Sequence, residues 1–276
     1  MEKLHRIILI IMGPLALFIL LVGSVFAAPS LFDWQTNPWP FPPRVITQSY
    51  FPVGSPDTNF NFVFSGDTSR FLDLPASPNT NNTITGGAGE PTLFIGADFV
   101  DTSELITLTI SLSPHHAISV SFTLMDIDAF DDGFGNVLID QIVVSGLNGV
   151  SGLVTPTLTA TNPSNVSVTG NVATAINGLI DNDQDGGNVA VSFGSAVNQI
   201  IIVYRPGPGS NNPLGGGIAL HDISFTPASP TAVSFQSLTV QSGGVTAVPF
   251  VAAGVFMLGT TAVFLRHSRR RLKTVH

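Results

Sequence analysis

Hydrophobic and polar positions alternate with a period of two in several short segments between residues 45 and 227. Phenylalanines alternate with other residues over 60–65, and Ile or Leu alternates with Thr or Ser over 106–112. Further strand candidates are 93–99, 189–193 and 200–204, the last being apolar on both faces and therefore predicted to be central. No helical period occurs among them, and turn residues separate them. The pattern predicts one large antiparallel β-sandwich, jelly-roll or immunoglobulin-like in outline.

The stretch 118–146 shows the longest such pattern and predicts a β-hairpin whose core side becomes acidic at one end. The apolar face of its first arm comprises Ile118, Val120, Phe122 and Leu124. Asp126 and Asp128 continue that face in phase, and Asp140 shares a face with Leu138 on the return arm. Three carboxylates are thus expected on the buried side of one hairpin.

Calcium is the predicted cofactor of these carboxylates. A carboxylate on a core face costs several kcal/mol unless it is paired, and this region has no lysine and few arginines. Ca²⁺ prefers oxygen ligands, and Asp131 or Asp132 of the intervening loop would add to Asp126, Asp128 and Asp140. The alternative is that a bulge or strand end turns the side chains outward to cap loop amides.

A second, weaker calcium candidate is the loop DNDQDG at 181–186. Asp181, Asp183 and Asp185 followed by glycine match the first half of a calcium loop. An EF-hand is excluded, because its bidentate glutamate would fall on Ser192 and a strand is predicted to follow. A looser calcium loop and a plain acidic turn remain alternatives.

Aromatic residues in the proline-rich segment 28–45 suggest a weak candidate ligand site ahead of the sandwich, which is predicted at 46–227. Trp34 and Trp39 either form a platform for stacking a sugar ring or pack the segment onto the sandwich. His221 and Asp222 suggest an acid–base pair, but adjacent residues of a strand point to opposite faces. No catalytic sequence motif accompanies them.

Charge is distributed unevenly along the chain. Between Ala28 and Thr246, three arginines stand against seventeen Asp and Glu, a net charge of −14. Such a surface repels phosphate backbones, so nucleic acid is excluded as a partner, whereas divalent cations are favoured. The absence of cysteine excludes disulfides and thiol chemistry.

Both ends of the chain carry membrane-directed patterns. Residues 1–27 predict a signal peptide, with an uncleaved N-terminal anchor as the alternative. A Ser/Thr/Pro-containing stalk at 228–244 precedes a predicted transmembrane helix at 245–265, and the basic tail at 266–276 is expected to be cytoplasmic. This layout predicts that the region between the two ends lies on the extracellular face of the cell envelope.

Two resemblances to known bacterial proteins cover most of the chain. Six segments resemble a secreted β-sandwich domain of poorly defined role: FDW (32–34), TITGGAGEPTLFIGADF (83–99), SFTLMDIDAF (121–130), IDQIVVSG (139–146), GNVAVSFGSAVNQIIIVY (187–204) and GIALHDISFTP (217–227). This resemblance implies no catalytic residues. The C-terminal region resembles PEP-CTERM sorting signals, with Val248, Pro249 and Phe250 before the apolar span and Arg269, Arg270 and Arg271 after it.

The Pro-Glu-Pro of that sorting signal is missing here, so processing by an exosortase-type enzyme and a permanent transmembrane anchor are both open. The expected function is a surface-anchored protein with a binding, adhesive or matrix-structural role. Its expected partners are the membrane and extracellular polysaccharide or surface proteins. The alternative is a surface-anchored hydrolase acting on polysaccharide, because paired carboxylates need no local motif.

Overall fold

The computed structural model describes residues 28–40, 45–55, 57–114, 116–149 and 152–228. These residues form two antiparallel β-sheets and two short 3₁₀ turns, as expected for a β-sandwich. The predicted signal peptide, stalk, transmembrane helix and basic tail, with the sorting residues 248–250 and 269–271, lie outside them. The helical segments of the described ranges are two three-residue 3₁₀ turns, and neither is a candidate membrane span.

Seventeen short strands account for the described architecture. In chain order they are β1 (Ser30–Phe32), β2 (Thr47–Val53), β3 (Thr58–Gly66), β4 (Asn79–Asn81), β5 (Thr92–Asp98), β6 (Ile106–Ser113), β7 (Ala117–Met125), β8 (Ala129–Asp131), β9 (Val137–Asn148), β10 (Gly152–Val154), β11 (Thr157–Ala160), β12 (Val166–Thr169), β13 (Val172–Ala175), β14 (Val189–Ser192), β15 (Gln199–Pro206), β16 (Gly215–Leu220) and β17 (Ile223–Pro227). The 3₁₀ turns are Thr68–Arg70 and Asp185–Gly187.

Strand order differs between the two sheets. The first sheet has the order β1-β17-β7-β16-β5-β4, and β14 pairs with both β7 and β11. The second has the order β12-β13-β9-β15-β6-β3-β2, and β8 and β10 also pair with β9. Neighbouring strands among the described residues are antiparallel, for example with Ile202 of β15 opposite Leu108 of β6.

The period-two alternation predicts the core residues of several strands correctly. In β3 the phenylalanines Phe60, Phe62 and Phe64 are buried, and in β6 the buried set is Ile106, Leu108, Ile110 and Leu112. The prediction that 200–204 is a central strand is confirmed, since β15 lies between β9 and β6. Alternating side chains face one core because successive Cβ atoms of a strand point to opposite sides of its sheet.

The predicted hairpin over 118–146 is wrong. Its first arm, β7, belongs to the first sheet, and its return arm, β9, belongs to the second. The chain crosses between the sheets at residues 126–128, and within the stretch 118–146 the local partner of β9 is the short β8. At the start of β7, Ser119 has a left-handed backbone (φ 53°), and Ile118 is exposed instead of sharing the core face.

The predicted boundary of the sandwich at residue 46 also needs correction. β1 lies within the segment 28–45 and pairs with β17, at the edge of the first sheet. Ser30 pairs with Phe225 and Phe32 with Ile223. The sheet therefore begins at Ser30, before the prolines that follow in this segment.

Candidate functional site

The crossover between the sheets places Asp126 and Asp128 at the end of β7. Asp126 has φ 64°, a backbone conformation that interrupts the strand and breaks its two-residue alternation. Ile127 is buried, and its N–H donates to the carbonyl of Gly187 at 3.0 Å. A Cβ on Gly187 would lie 2.9 Å from the Ile127 nitrogen, so glycine allows this close approach.

Asp140 lies inside β9 and faces the core, as its phase with Leu138 predicted. It is 2% exposed. The Tyr204 hydroxyl donates to Asp140 Oδ1 at 2.7 Å, and the Asp128 N–H donates to Asp140 Oδ2 at 3.3 Å. The Asp140 N–H in turn donates to the Asp128 carbonyl at 3.0 Å. These bonds attach the crossover to the second sheet.

Asp126 is the least satisfied of the three carboxylates. It is 7% exposed, and its Oδ1 atom is buried with no hydrogen-bond donor. Asp128, by contrast, accepts the Ile180 N–H on Oδ2 at 2.8 Å. Unpaired buried polar atoms are rare because they lose their hydration without compensation.

All three aspartates line one pocket of about 250 Å³ between elements of the two sheets. β16 contributes Gly215, Gly216 and Gly217 to its wall. A Cβ on Gly216 would collide with Leu138 and would stand 3.7 Å from Asp140 Oδ1. The absence of side chains on this part of β16 therefore keeps space beside the carboxylates.

Burial raises the pKa of each of these aspartates. The pKa of Asp126 is raised from 3.8 to about 7, first by burial and then by the charge of Asp128. Burial, and then the Asp128 charge, raises the pKa of Asp140 well above its ordinary value. Burial also raises the pKa of Asp128, although the Ile180 hydrogen bond opposes this.

Basic side chains do not neutralise this pocket within the described ranges. The guanidinium of Arg70 pairs with Glu104 at 2.7 Å, and that of Arg205 donates to Gln141 at 2.8 Å. No hydrogen bond or ion pair of the described residues joins an arginine to Asp126, Asp128 or Asp140. The pocket therefore has to hold protons or a bound cation to offset its charge.

The carboxylate oxygens of the three aspartates are nevertheless farther apart than the ligand atoms of an assembled metal site. Among the described residues, a group of three candidate ligands with atoms all within 4.8 Å of one another occurs only at Glu90, His221 and Asp222. Asp126, Asp128 and Asp140 surround a common space without closing on a single point. A bound ion would have to draw their oxygens closer together.

Asp131 and Asp132 do not join the pocket, which corrects the prediction that they supply loop ligands. Asp131 accepts the Gly133 N–H at 2.8 Å, and Asp132 accepts the N–H groups of Phe134 and Asn136. The Asn136 side chain and these amides lower the pKa of Asp132. Both aspartates cap their own turn, which is the alternative that the sequence left open for this region.

The three aspartates of the acidic loop 181–186 are not brought together in one close group. Asp181, Asp183 and Asp185 are exposed and form no close ligand group, although Asp181 accepts a hydrogen bond from the Gln184 side chain. A 3₁₀ turn and then β14 follow. The expected strand after this loop is confirmed.

The hypothesis of a sugar-stacking platform is wrong for Trp34 and Trp39. Both indoles are buried, and they pack edge-on against Phe32 and Phe64 with centroid distances of 4.8 and 5.4 Å. A ring without an exposed face cannot stack on a sugar. The two tryptophans instead pack the N-terminal segment onto the sandwich, which was the alternative prediction.

Several residues of potential function were missed or misjudged from the sequence. Tyr204 and the glycines of β16 carry no local signal for the acidic pocket. His221 and Asp222 lie between β16 and β17 and not within a strand, so the opposite-face argument against their cooperation fails. In the sequence, His221 and Asp222 could have been recognised only as a polar pair between two short apolar runs.

No protein-family model and no curated protein matches this chain. The described residues thus define an all-β protein with two antiparallel sheets and a buried acidic pocket.

Proposed function

We propose that this chain is an extracellular, cell-surface-anchored β-sandwich protein with a binding, adhesive or matrix-structural role, stabilised by calcium in its acidic pocket. The observation that carries the proposal is the buried Asp126 Oδ1, which has no donor although it lies in one pocket with Asp128 and Asp140. A cation would supply the missing partner and offset the charge of all three groups.

The chemistry of the pocket favours calcium over other ions. Its charged groups are carboxylates, and carboxylate oxygens are ligands of hard cations. Ca²⁺ tolerates irregular coordination at about 2.3–2.6 Å, whereas Mg²⁺ demands near-octahedral geometry and dehydrates reluctantly. Because only three carboxylates line the pocket, water or ligand oxygens would complete the shell, and the volume of about 250 Å³ leaves room for them.

Carbohydrate is the ligand class we favour within this proposal. With Trp34 and Trp39 buried, stacking on those rings is no longer available to support it. Coordination of sugar hydroxyls to the open positions of a bound Ca²⁺ is the remaining route, and the partner would be an extracellular polysaccharide or a glycosylated surface protein. We also propose that the two sheets form a sandwich of the jelly-roll or immunoglobulin-like type.

Calcium titration of the full-length chain tests the cation part of this proposal. We expect one class of site whose affinity falls at least about tenfold in Asp126→Asn and in Asp140→Asn, because each removes a charged ligand. Asp183→Asn makes the same chemical change in the exposed loop and is expected to titrate like the wild type. Equal affinities in all four proteins would contradict the site. Glycan-array binding with calcium and with chelator then tests the ligand class.

Surface anchoring is the second part of the proposal, and it rests on the apolar span at 245–265 and the basic cluster after it. A reporter fused after Thr246 is expected outside the cell, and one fused after His276 inside if the tail is retained. An external intact C-terminus would contradict this topology. Mass spectrometry of the mature protein distinguishes exosortase-type removal of the tail after the 248–250 region from a permanent anchor.

A surface hydrolase acting on polysaccharide is the second candidate, favoured by one observation. The pKa of Asp126 is raised to about 7 beside two further carboxyls, and such a group can serve as a general acid near neutral pH. Assays with chromogenic glycosides and with polysaccharides separate the two candidates. Turnover that disappears in Asp126→Asn but persists in Asp183→Asn would favour the hydrolase over the binding protein.

A further inference from the structure

The turn that joins β16 to β17 brings together metal-ligating side chains from two distant parts of the chain. Glu90, from the loop before β5, meets His221 and Asp222 of the turn, and one ligand atom of each lies within 4.8 Å of the others. We propose that these three residues bind a transition-metal ion of the Zn²⁺ class. This site shares no residue with the acidic pocket and does not depend on the function proposed above.

The distance between His221 and Glu90 fits two ligands of one ion better than a hydrogen bond. His221 Nε2 lies 3.8 Å from Glu90 Oε2, which exceeds the length of a hydrogen bond. Two donors each about 2.1 Å from a tetrahedral Zn²⁺ stand roughly 3.4 Å apart. Small movements of the Glu90 side chain, half of which is exposed, are therefore enough to bring both atoms to an ion.

The state of the imidazole is the independent observation that points to a ligand. His221 Nε2 is shielded from solvent and has no hydrogen-bond partner. A buried ring nitrogen without a partner has lost its hydrogen bonds to water. Coordination to a cation would replace them. Neutral imidazole nitrogen is also the ligand that distinguishes zinc-type sites from calcium sites.

Backbone contacts hold the two turn residues in position. The His221 N–H donates to the carbonyl of Thr123 in β7 at 3.0 Å, which fixes the turn to the neighbouring strand. Asp222 Oδ1 accepts the Trp34 N–H at 2.9 Å, so its second oxygen is left for an ion. Because the Trp34 indole is buried in the core, the Asp222 carboxylate is oriented by the rigid part of the fold.

One of the three residues, His221, borders open space beyond the group. His221 also lines a pocket of about 620 Å³, together with residues of the 86–88 loop and the exposed Asp183 and Asp185. Three protein ligands with a solvent-facing fourth position are typical of zinc sites that exchange a water or an external ligand. The ligand that we assign to this group is therefore the metal ion with water in its fourth position.

Metal titration of the full-length chain, first stripped with chelator, tests the assignment. Zn²⁺ binding is measured by calorimetry, and Co²⁺ binding by its visible absorption, which is intense in tetrahedral sites. We expect one equivalent of metal, with affinity reduced at least about tenfold in His221→Ala. Glu90→Gln replaces an exposed side chain, is not expected to disturb folding, and should weaken binding in the same direction.

Two control variants make the outcome decisive. His116→Ala removes another described imidazole, and Asp126→Asn removes a ligand of the proposed calcium pocket; both are expected to bind Zn²⁺ like the wild type. Wild-type affinity in both His221→Ala and Glu90→Gln, loss of binding in His116→Ala alone, or no Zn²⁺ binding by the wild type would overturn the assignment. In the last case the three side chains are neighbours without a metal-binding role.

Discussion

Replacement of Trp34 by alanine is expected to lower the free energy of unfolding by about 3–5 kcal/mol, the usual cost of truncating a large buried aromatic side chain. Its side chain is 0% exposed and packs against Phe32 and Phe62, with ring centroids 4.8 and 5.3 Å away. Alanine would leave a cavity between the N-terminal segment and β3. Denaturant unfolding monitored by circular dichroism measures the change.

Leu31→Ala provides the matched control, because Leu31 belongs to the same segment but is 54% exposed. We expect it to change the free energy of unfolding by less than about 1 kcal/mol. Similar small effects of both substitutions would mean that the segment 28–40 does not belong to the folded core. The contrast thus tests the corrected N-terminal boundary of the sandwich.

Stability of the calcium-free protein is expected to fall as the pH rises between about 4 and 7. The folded-state pKa of Asp126 is raised from 3.8 to about 7, so in this window the folded state binds more protons than the unfolded state. The free energy of unfolding therefore decreases with pH, by at most about 4 kcal/mol for this group, and levels off above its folded-state pKa. The raised pKa values of Asp128 and Asp140 act in the same direction.

Calcium is expected to remove most of this pH dependence, because a bound cation stabilises the ionised carboxylates. At a hundredfold excess over its dissociation constant, Ca²⁺ would add about 2.7 kcal/mol of stability near neutral pH. Melting curves from pH 4 to pH 8, in calcium and in chelator, measure both effects.

Asp126→Asn isolates the contribution of this carboxylate. It is expected to be more stable than the wild type in chelator at pH 7 and to respond little to calcium, since it removes a buried charge and a ligand together. Asp183→Asn should behave like the wild type in both conditions. Wild-type curves that coincide in calcium and chelator would refute calcium stabilisation, and an unchanged pH dependence in Asp126→Asn would refute the role of that group.

Strands and their inward-facing residues follow from the sequence by itself, because alternation is a local property. Phe60, Phe62 and Phe64 are separated by single residues, and the pleat of one strand is sufficient to place all three on one face. The same local rule places Asp140 on the core face of β9, where the structure has it. The all-β class and the acidic character of part of the core were therefore predictable.

Pairing between strands required the tertiary structure. The pattern over 118–146 has the same form whether its arms pair with each other or lie in opposite sheets, since period two says nothing about the partner of a strand. The same applies to Trp34, whose aromatic character suits both an exposed platform and a core. The ring contact of Trp34 with Phe62, which is distant in sequence, decides between them.

For the candidate sites, too, the sequence predicted some features and the tertiary structure decided the others. The sequence suggested Asp126, Asp128 and Asp140 because they continue the two-residue alternation of apolar positions. In the structure Asp126 leaves the strand conformation, and the three carboxylates share a pocket because the chain crosses between the sheets. Glu90 and His221 are far apart in sequence and meet only because the loop before β5 and the turn after β16 lie at the same end of two paired strands. Local periodicity determines which face a side chain occupies, whereas the pairing of distant strands determines which side chains it meets there.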